Sequence, residues 1–193
     1  MGRPKANLPL GDQDTFLSRI VRTFHSADVE DVVVVVGYEP VAILEAFSRT
    51  GEMARFVENP DFDRGQLSSL VRGLNAVDRP GVVGALVTLV DVPFFGTETV
   101  RAVVGRYRES RAPVVRPVRG AAHGHPVLID RSLFDAIRQA DPVAGAKVIV
   151  RAHASSAGDV EVDDEGAFVD IDTASDYEQF LARVARQGFF MGS

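Results

Sequence analysis

The sequence predicts an α/β protein built on a mostly parallel sheet. Three observations carry that reading. The run Val32–Val36 is uninterrupted, β-branched and closed by Gly37, which suits a strand covered on both faces. A second apolar run, 83–90, ends at Asp91. Between such runs lie stripes of apolar residues at helical spacing, and strands alternating with helices imply βαβ units.

Taken in order, Phe16, Leu17, Ile20, Val21 and Phe24 share one helical face, with Thr15 before them as N-cap. The strand at 32–36 follows, then a helix marked by Val41, Leu44 and Phe47. Residues 54–57 form a short strand, with a loop at Glu58, Asn59 and Pro60. Leu67, Leu70, Val71, Leu74 and Val77 give the next helix, and 83–90 the next buried strand. Val100, Val103, Val104 and Tyr107 mark a further helix. Residues 113–118 and 126–129 are extended around the polar, Gly-rich loop 119–125. Residues 133–140 read as helix, while 145–153 fits strand by its valines and helix by its context. A last strand at 168–171 precedes a closing helix carrying Tyr177, Phe180, Leu181 and Val184.

Length and composition bound the function. At 193 residues the chain fits a single domain spanning 1–193. The net charge of −6 does not suggest a nucleic-acid surface. No apolar run approaches the roughly 20 residues of a membrane span, and the absence of cysteine removes disulfides and thiol chemistry together. A cytoplasmic protein is expected. No Gly-x-Gly-x-x-Gly separates a strand from a helix, which argues against a dinucleotide-dependent oxidoreductase.

In open α/β sheets ligands sit beyond the carboxyl ends of the strands. That rule selects Gly37, Asn59, Asp91 and the segment Asp170–Asp172. Asp91 is a hard oxygen ligand suited to Mg²⁺, and Pro93 holds its neighbour extended; capping of the helix after Gly96 is the alternative role. Asp170 and Asp172 flank Ile171, so alternation puts both on one face, while Asp172 or Thr173 equally suits capping of the last helix, with Asp176 in its first turn. Lys5, in a loop constrained by Gly2 and Pro4, offers a point charge to phosphate oxygens or belongs to a solvated terminus. Ser68 and Ser69 open a helix where hydroxyls and free N–H groups suit a nucleotide, or simply cap it. His123 and His125 lack a third ligand and make a poor zinc site; a polar contact to substrate fits that loop better.

Five segments in order, MGRPKANLPLG, ENPDFDRGQLSSLVRGL, the strand-end Asp91–Val92–Pro93, GHPVLIDRSLF and DIDTASDYEQF, resemble the nucleotidyltransferases typified by molybdenum cofactor cytidylyltransferase. The resemblance runs over nearly the whole chain. It implies a Rossmann-like three-layer fold of the nucleotide-diphospho-sugar-transferase type, with helices on both faces. It also implies Mg²⁺-dependent transfer of a nucleoside monophosphate from a triphosphate, CTP favoured, to a small phosphorylated or cofactor acceptor, with release of pyrophosphate. A monomer or homodimer is expected. By position, Lys5 matches the lysine that contacts the triphosphate, and Asp91 the strand-end metal aspartate. Asp172, with Asp170 as substitute, matches the acidic residue completing the metal site. Ser68 and Ser69 match the segment beside base and sugar, and His125 the loop beside the acceptor.

Two departures accompany the resemblance. The cytidylyltransferases usually read Gly-Asp-Gln-Pro where this chain has Val90, Asp91, Val92 and Pro93, so the metal carboxylate is kept and its polar neighbour is not. The family also begins with a central strand and a Leu-Ala-Ala-Gly-x-Ser-x-Arg loop directly upstream of Met-Gly-x-Pro-Lys. This chain starts inside that loop, and the expectation is that Met1 is an internal methionine. A non-catalytic nucleotide-binding protein on the same fold is the competing reading.

Overall fold

The first helix follows directly from its sequence. In a computed structural model, which describes residues 4–10 and 14–187, α1 spans Phe16–Ser26. Thr15 caps it through a reciprocal box: the Ser18 N–H donates to the Thr15 hydroxyl, and Thr15 N–H to the Ser18 hydroxyl. All five stripe residues are buried, each worth roughly 1.5–3 kcal/mol when removed from water. Ahead of it, β1 (Pro9–Leu10) and β2 (Asp14–Thr15) form a small antiparallel pair.

The next elements are β3 (Val33–Val36), α2 (Pro40–Ser48), β4 (Arg55–Glu58), α3 (Gln66–Val77), β5 (Gly84–Val87) and α4 (Thr97–Ser110). They are followed by β6 (Val114–Arg119), β7 (Ala122–His123), β8 (Val127–Asp130), α5 (Phe134–Arg138), α6 (Ala146–His153), β9 (Asp159–Glu161) and α7 (Ala174–Gln187). Parallel pairs join β3 to β4 and β6 to β9; β8 runs antiparallel to both β5 and β6. The sheet is therefore mixed, because β8 returns directly from the turn after β6 instead of crossing over a helix. Among the described residues β3 pairs with β4 alone and β5 with β8 alone.

Strand alternation makes the layers. Val115 and Leu128 face α4, packed with Val103 and Tyr107, while Val114 and Ile129 face α3 and α5, packed with Leu74, Phe134 and Ile137. Likewise Val36 turns toward α1 and α2, and Val35 lies against Gly73 of α3. The result is a three-layer α/β sandwich with helices on both faces.

Four details differ from the sequence reading. On α2 the buried pair is Ile43 and Phe47, whereas Val41 and Leu44 are exposed; α2 docks through the face that meets α1 and the N-terminal turn. The strand at 83–90 shrinks to 84–87, leaving Val83 exposed and Asp91 in the loop beyond. Of the run 32–36 only Val36 is fully buried. The last strand is Asp159–Glu161, not 168–171: a 3-10 turn at Glu165–Phe168, capped by Asp164, breaks the run before it can pair. Of the closing stripe, Phe180 is buried and Tyr177 half-buried, while the side chains of Leu181 and Val184, like Gly2 and Met1, lie outside the described residues.

Candidate active site

Three segments far apart in sequence meet at one rim of the sheet. The first is the 3-10 turn Lys5–Asn7. Ala6 packs with Leu17, Val21 and Ile43, and the Asn7 amide donates to the Ala42 carbonyl, 3.0 Å away. These contacts seat the turn on α1 and α2 and leave Lys5 free to reach over the sheet. The second is the loop after β5, where Val92 and Phe95 are wholly buried and Phe94 nearly so. Anchoring on both sides fixes the direction of Asp91. The third is 169–173. Ile171 is fully buried among Phe16, Phe94 and Phe180, and its N–H donates to the Asp91 carbonyl at 2.7 Å. With Ile171 pinned inward, Asp170 and Asp172 stay on the rim.

The side chains close this arrangement. Lys5 Nζ lies 2.6 Å from Asp172 Oδ1 and 3.5 Å from Asp91 Oδ2. Burial pulls the ammonium down, but the hydrogen bond to Asp172 and the charges of Asp91 and Asp172 outweigh it, so its pKa is raised. Asp91 Oδ1 is buried and has no hydrogen-bond partner in the protein.

The alternative roles open to these aspartates are filled by others. Thr173 and Asp176 form the capping box of α7: Thr173 N–H donates to Asp176 at 2.7 Å, and Asp176 N–H to the Thr173 hydroxyl at 3.1 Å. Those bonds hold Asp176 below the usual carboxylate range and leave the Asp172 carboxylate to Lys5. The α4 N-terminus is capped by Asp164, which accepts from Gly96 N–H at 2.7 Å and the Thr99 hydroxyl at 2.6 Å, so Asp91 is spared that role. Sequence reading missed Asp164, and the 65 positions separating it from Thr99 leave no local signal.

His125 borders the same rim. Its N–H donates to the Ala167 carbonyl at 2.8 Å, an approach possible because Gly124 has no Cβ: one there would stand 2.5 Å from that oxygen. Burial pushes the imidazole pKa down, partly opposed by the Val87 carbonyl and the charges of Asp170 and Asp91. Asp170 is exposed and makes no ion pair with Lys5 within the distances that define Asp172's.

Ser68 and Ser69 are used internally. The buried Asn59, just past β4, donates through Nδ2 to both hydroxyls, at 2.8 and 3.0 Å. Ser68 in turn donates to the Gly65 carbonyl at 2.8 Å. Both hydroxyls hold the strand-end loop, and each keeps a further lone pair beyond the bond it accepts from Asn59.

The residues fit a divalent cation. Two hard carboxylates share one ammonium, and a buried carboxylate oxygen lacks any protein partner. No cluster of three or more ligating side chains exists among the described residues. Two carboxylates suit a hard divalent ion that completes its shell with water and substrate phosphates.

The family model for the MobA-like NTP transferase domain matches residues 1–157. The chain belongs to this family. The matched span carries Lys5, Asp91 and His125, while Asp170 and Asp172 lie beyond it. Solved structures agree on the fold. A Rv0371c homologue from Mycobacterium sp. strain JC1 is 27% identical, with a TM-score of 0.74 over 97% of this chain and 91% of that one. Rv0371c from Mycobacterium tuberculosis, in complex with manganese, is 24% identical, with a TM-score of 0.75 over 94% and 93%. A nucleotidyl transferase from Methanothermobacter thermautotrophicus is 23% identical, with a TM-score of 0.75 over 95% and 86%. No curated protein matches the chain significantly. No helix among the described residues is long and apolar enough to cross a membrane.

Proposed function

We propose that this family member transfers a nucleoside monophosphate from a triphosphate, CTP favoured, to a small phosphorylated or cofactor acceptor in the cytoplasm, releasing pyrophosphate. The observation that carries the reading is the convergence of Asp91 and Asp172 on the Lys5 ammonium. The preference for CTP rests on the sequence resemblance to the cytidylyltransferases.

The acceptor oxygen attacks the α-phosphorus. The α–β bridging bond breaks, and its electrons leave with pyrophosphate. Little covalent work falls to the protein; orientation and charge neutralisation dominate. Lys5 balances charge on the β- and γ-phosphates. Asp91 and Asp172 would hold Mg²⁺, which when bound neutralises charge on the phosphate oxygens. His125 lines the acceptor side, where its depressed pKa keeps the ring neutral near pH 7 and able to accept or donate one hydrogen bond. Ser68 and Ser69 border the base and sugar, their hydroxyls held in place by Asn59.

Pyrophosphate release, measured with each triphosphate, Mg²⁺ and a panel of phosphorylated acceptors, tests the reading. Release dependent on both Mg²⁺ and acceptor supports it. Triphosphate binding by calorimetry with no release under any acceptor favours a non-catalytic nucleotide-binding protein.

A further inference from the structure

Lys5 sits between the two carboxylates that the proposed function assigns to the metal. Its nitrogen is within 2.6 Å of one and 3.5 Å of the other. The three side chains differ in exposure: Lys5 31%, Asp91 22% and Asp172 68%. The Lys5 and Asp91 side chains are thus both partly enclosed, while Asp172 stands on the open side of the contact.

We propose that Lys5 is the resting counter-ion of the Asp91–Asp172 pair and makes the divalent ion and the triphosphate load together. The inference rests on the proposed metal site. A free divalent ion approaching the pair meets a positive charge already placed there, and it must either displace the ammonium or bind beside it. An ion arriving on a triphosphate brings new acceptors for that ammonium. Lys5 can turn from the carboxylates to phosphate oxygens without losing a partner, since an ammonium is a compact charge on a flexible stem. Each ligand thus removes an obstacle to the other, and the coupling is reciprocal by linkage. Lys5 is in this sense a specificity determinant: it selects the metal–nucleotide complex over the bare ion.

Mn²⁺ is the probe, because its free concentration is read directly by electron paramagnetic resonance. Binding is measured on the full chain with and without a non-hydrolysable CTP analogue, the Mn²⁺ held by the analogue alone being subtracted from protein-free titrations, for wild type, Lys5→Met and Lys5→Gln, with folding checked by circular dichroism. Wild type is expected to bind Mn²⁺ alone weakly and with the analogue at least ~5-fold more tightly, the lower end of common coupling factors. Lys5→Met and Lys5→Gln are expected to bind Mn²⁺ alone more tightly than wild type by a similar factor, and to show less gain from the analogue. A structural defect does not tighten metal binding, so this gain is specific to the counter-ion role. Equal Mn²⁺ affinity in wild type with and without analogue overturns the proposal. So does unchanged or weaker Mn²⁺ binding by both variants while wild type still binds Mn²⁺ with the analogue, a result that leaves the metal site standing. Absence of Mn²⁺ binding in every arm overturns the metal site and this inference with it.

Discussion

Lys5 donates to Asp172 across 167 positions of sequence, at 2.6 Å. The bond joins the N-terminal turn to the start of the last helix, and the same ammonium reaches Asp91 from a third part of the chain. A second tie runs parallel to it: the Tyr177 hydroxyl donates to the Pro9 carbonyl. The N-terminal turn and the start of α7 are thus held together beside the loop that carries Asp91.

Asp91→Asn keeps the shape of the side chain and removes its charge. Turnover should fall by at least ~100-fold, the scale of losing one preorganised electrostatic group. Pyrophosphate release under saturating triphosphate checks this. A near-normal rate removes Asp91 from the mechanism.

Asp164→Ala strips the cap from α4. It leaves the Gly96 N–H and the buried Thr99 hydroxyl without their acceptor. Each of these two groups costs about 1–3 kcal/mol when left unsatisfied, so the urea midpoint should drop by a shift worth roughly 2–6 kcal/mol. A change below about 0.5 kcal/mol, ordinary for a surface site, shows that α4 is capped by other means.

Thr173→Ala opens the capping box of α7. The expected loss is about 1 kcal/mol in chemical denaturation. Because the same turn presents Asp172, activity should fall further than this stability loss accounts for. Equal stability in Thr173→Ala and wild type contradicts the capping geometry.

Below pH 6.5 stability should decline in a way that His125→Asn relieves. The His125 pKa is lowered in the fold, chiefly by burial. The unfolded chain therefore takes up a proton as pH falls through 6.5, while the folded ring resists until its own lower pKa. Over that window the unfolded state binds more protons, and stability falls with pH at up to about 1.4 kcal/mol per unit for one group. Denaturation midpoints from pH 7.5 to 4.5 for wild type and His125→Asn test the difference. Parallel profiles discard it.

Much of the architecture is local and therefore legible. The α1 stripe and its Thr15 cap read correctly because spacing and capping act within four residues. The antiparallel pair of β6 and β8 was foreseen as two extended runs around a loop. The ambiguous 145–153 is helix at Ala146–His153, with Ala146, Ile149 and Val150 partly buried against the cluster of Ile129 and Ile137 and Val148 exposed. On α2 the expected stripe Val41, Leu44 and Phe47 fits a helical period, but packing against α1 buries Phe47 with Ile43 instead of with Val41 and Leu44. The segment 168–171 has strand composition but pairs with no strand among the described residues, and pairing is a property of neighbours.

The sequence by itself determined which groups are available: hard carboxylates at Asp91 and Asp170–Asp172, an ammonium in a constrained turn, a histidine before a proline, and the alternation of strands and helices that orders them. Only the tertiary structure decided their assignment. It gave the α4 cap to Asp164 and the α7 cap to Thr173, committed Ser68 and Ser69 to Asn59, and put Lys5 between Asp91 and Asp172. Each of these is a choice among several chemically equivalent partners, made by distances that arise when separate segments pack, which no local pattern encodes.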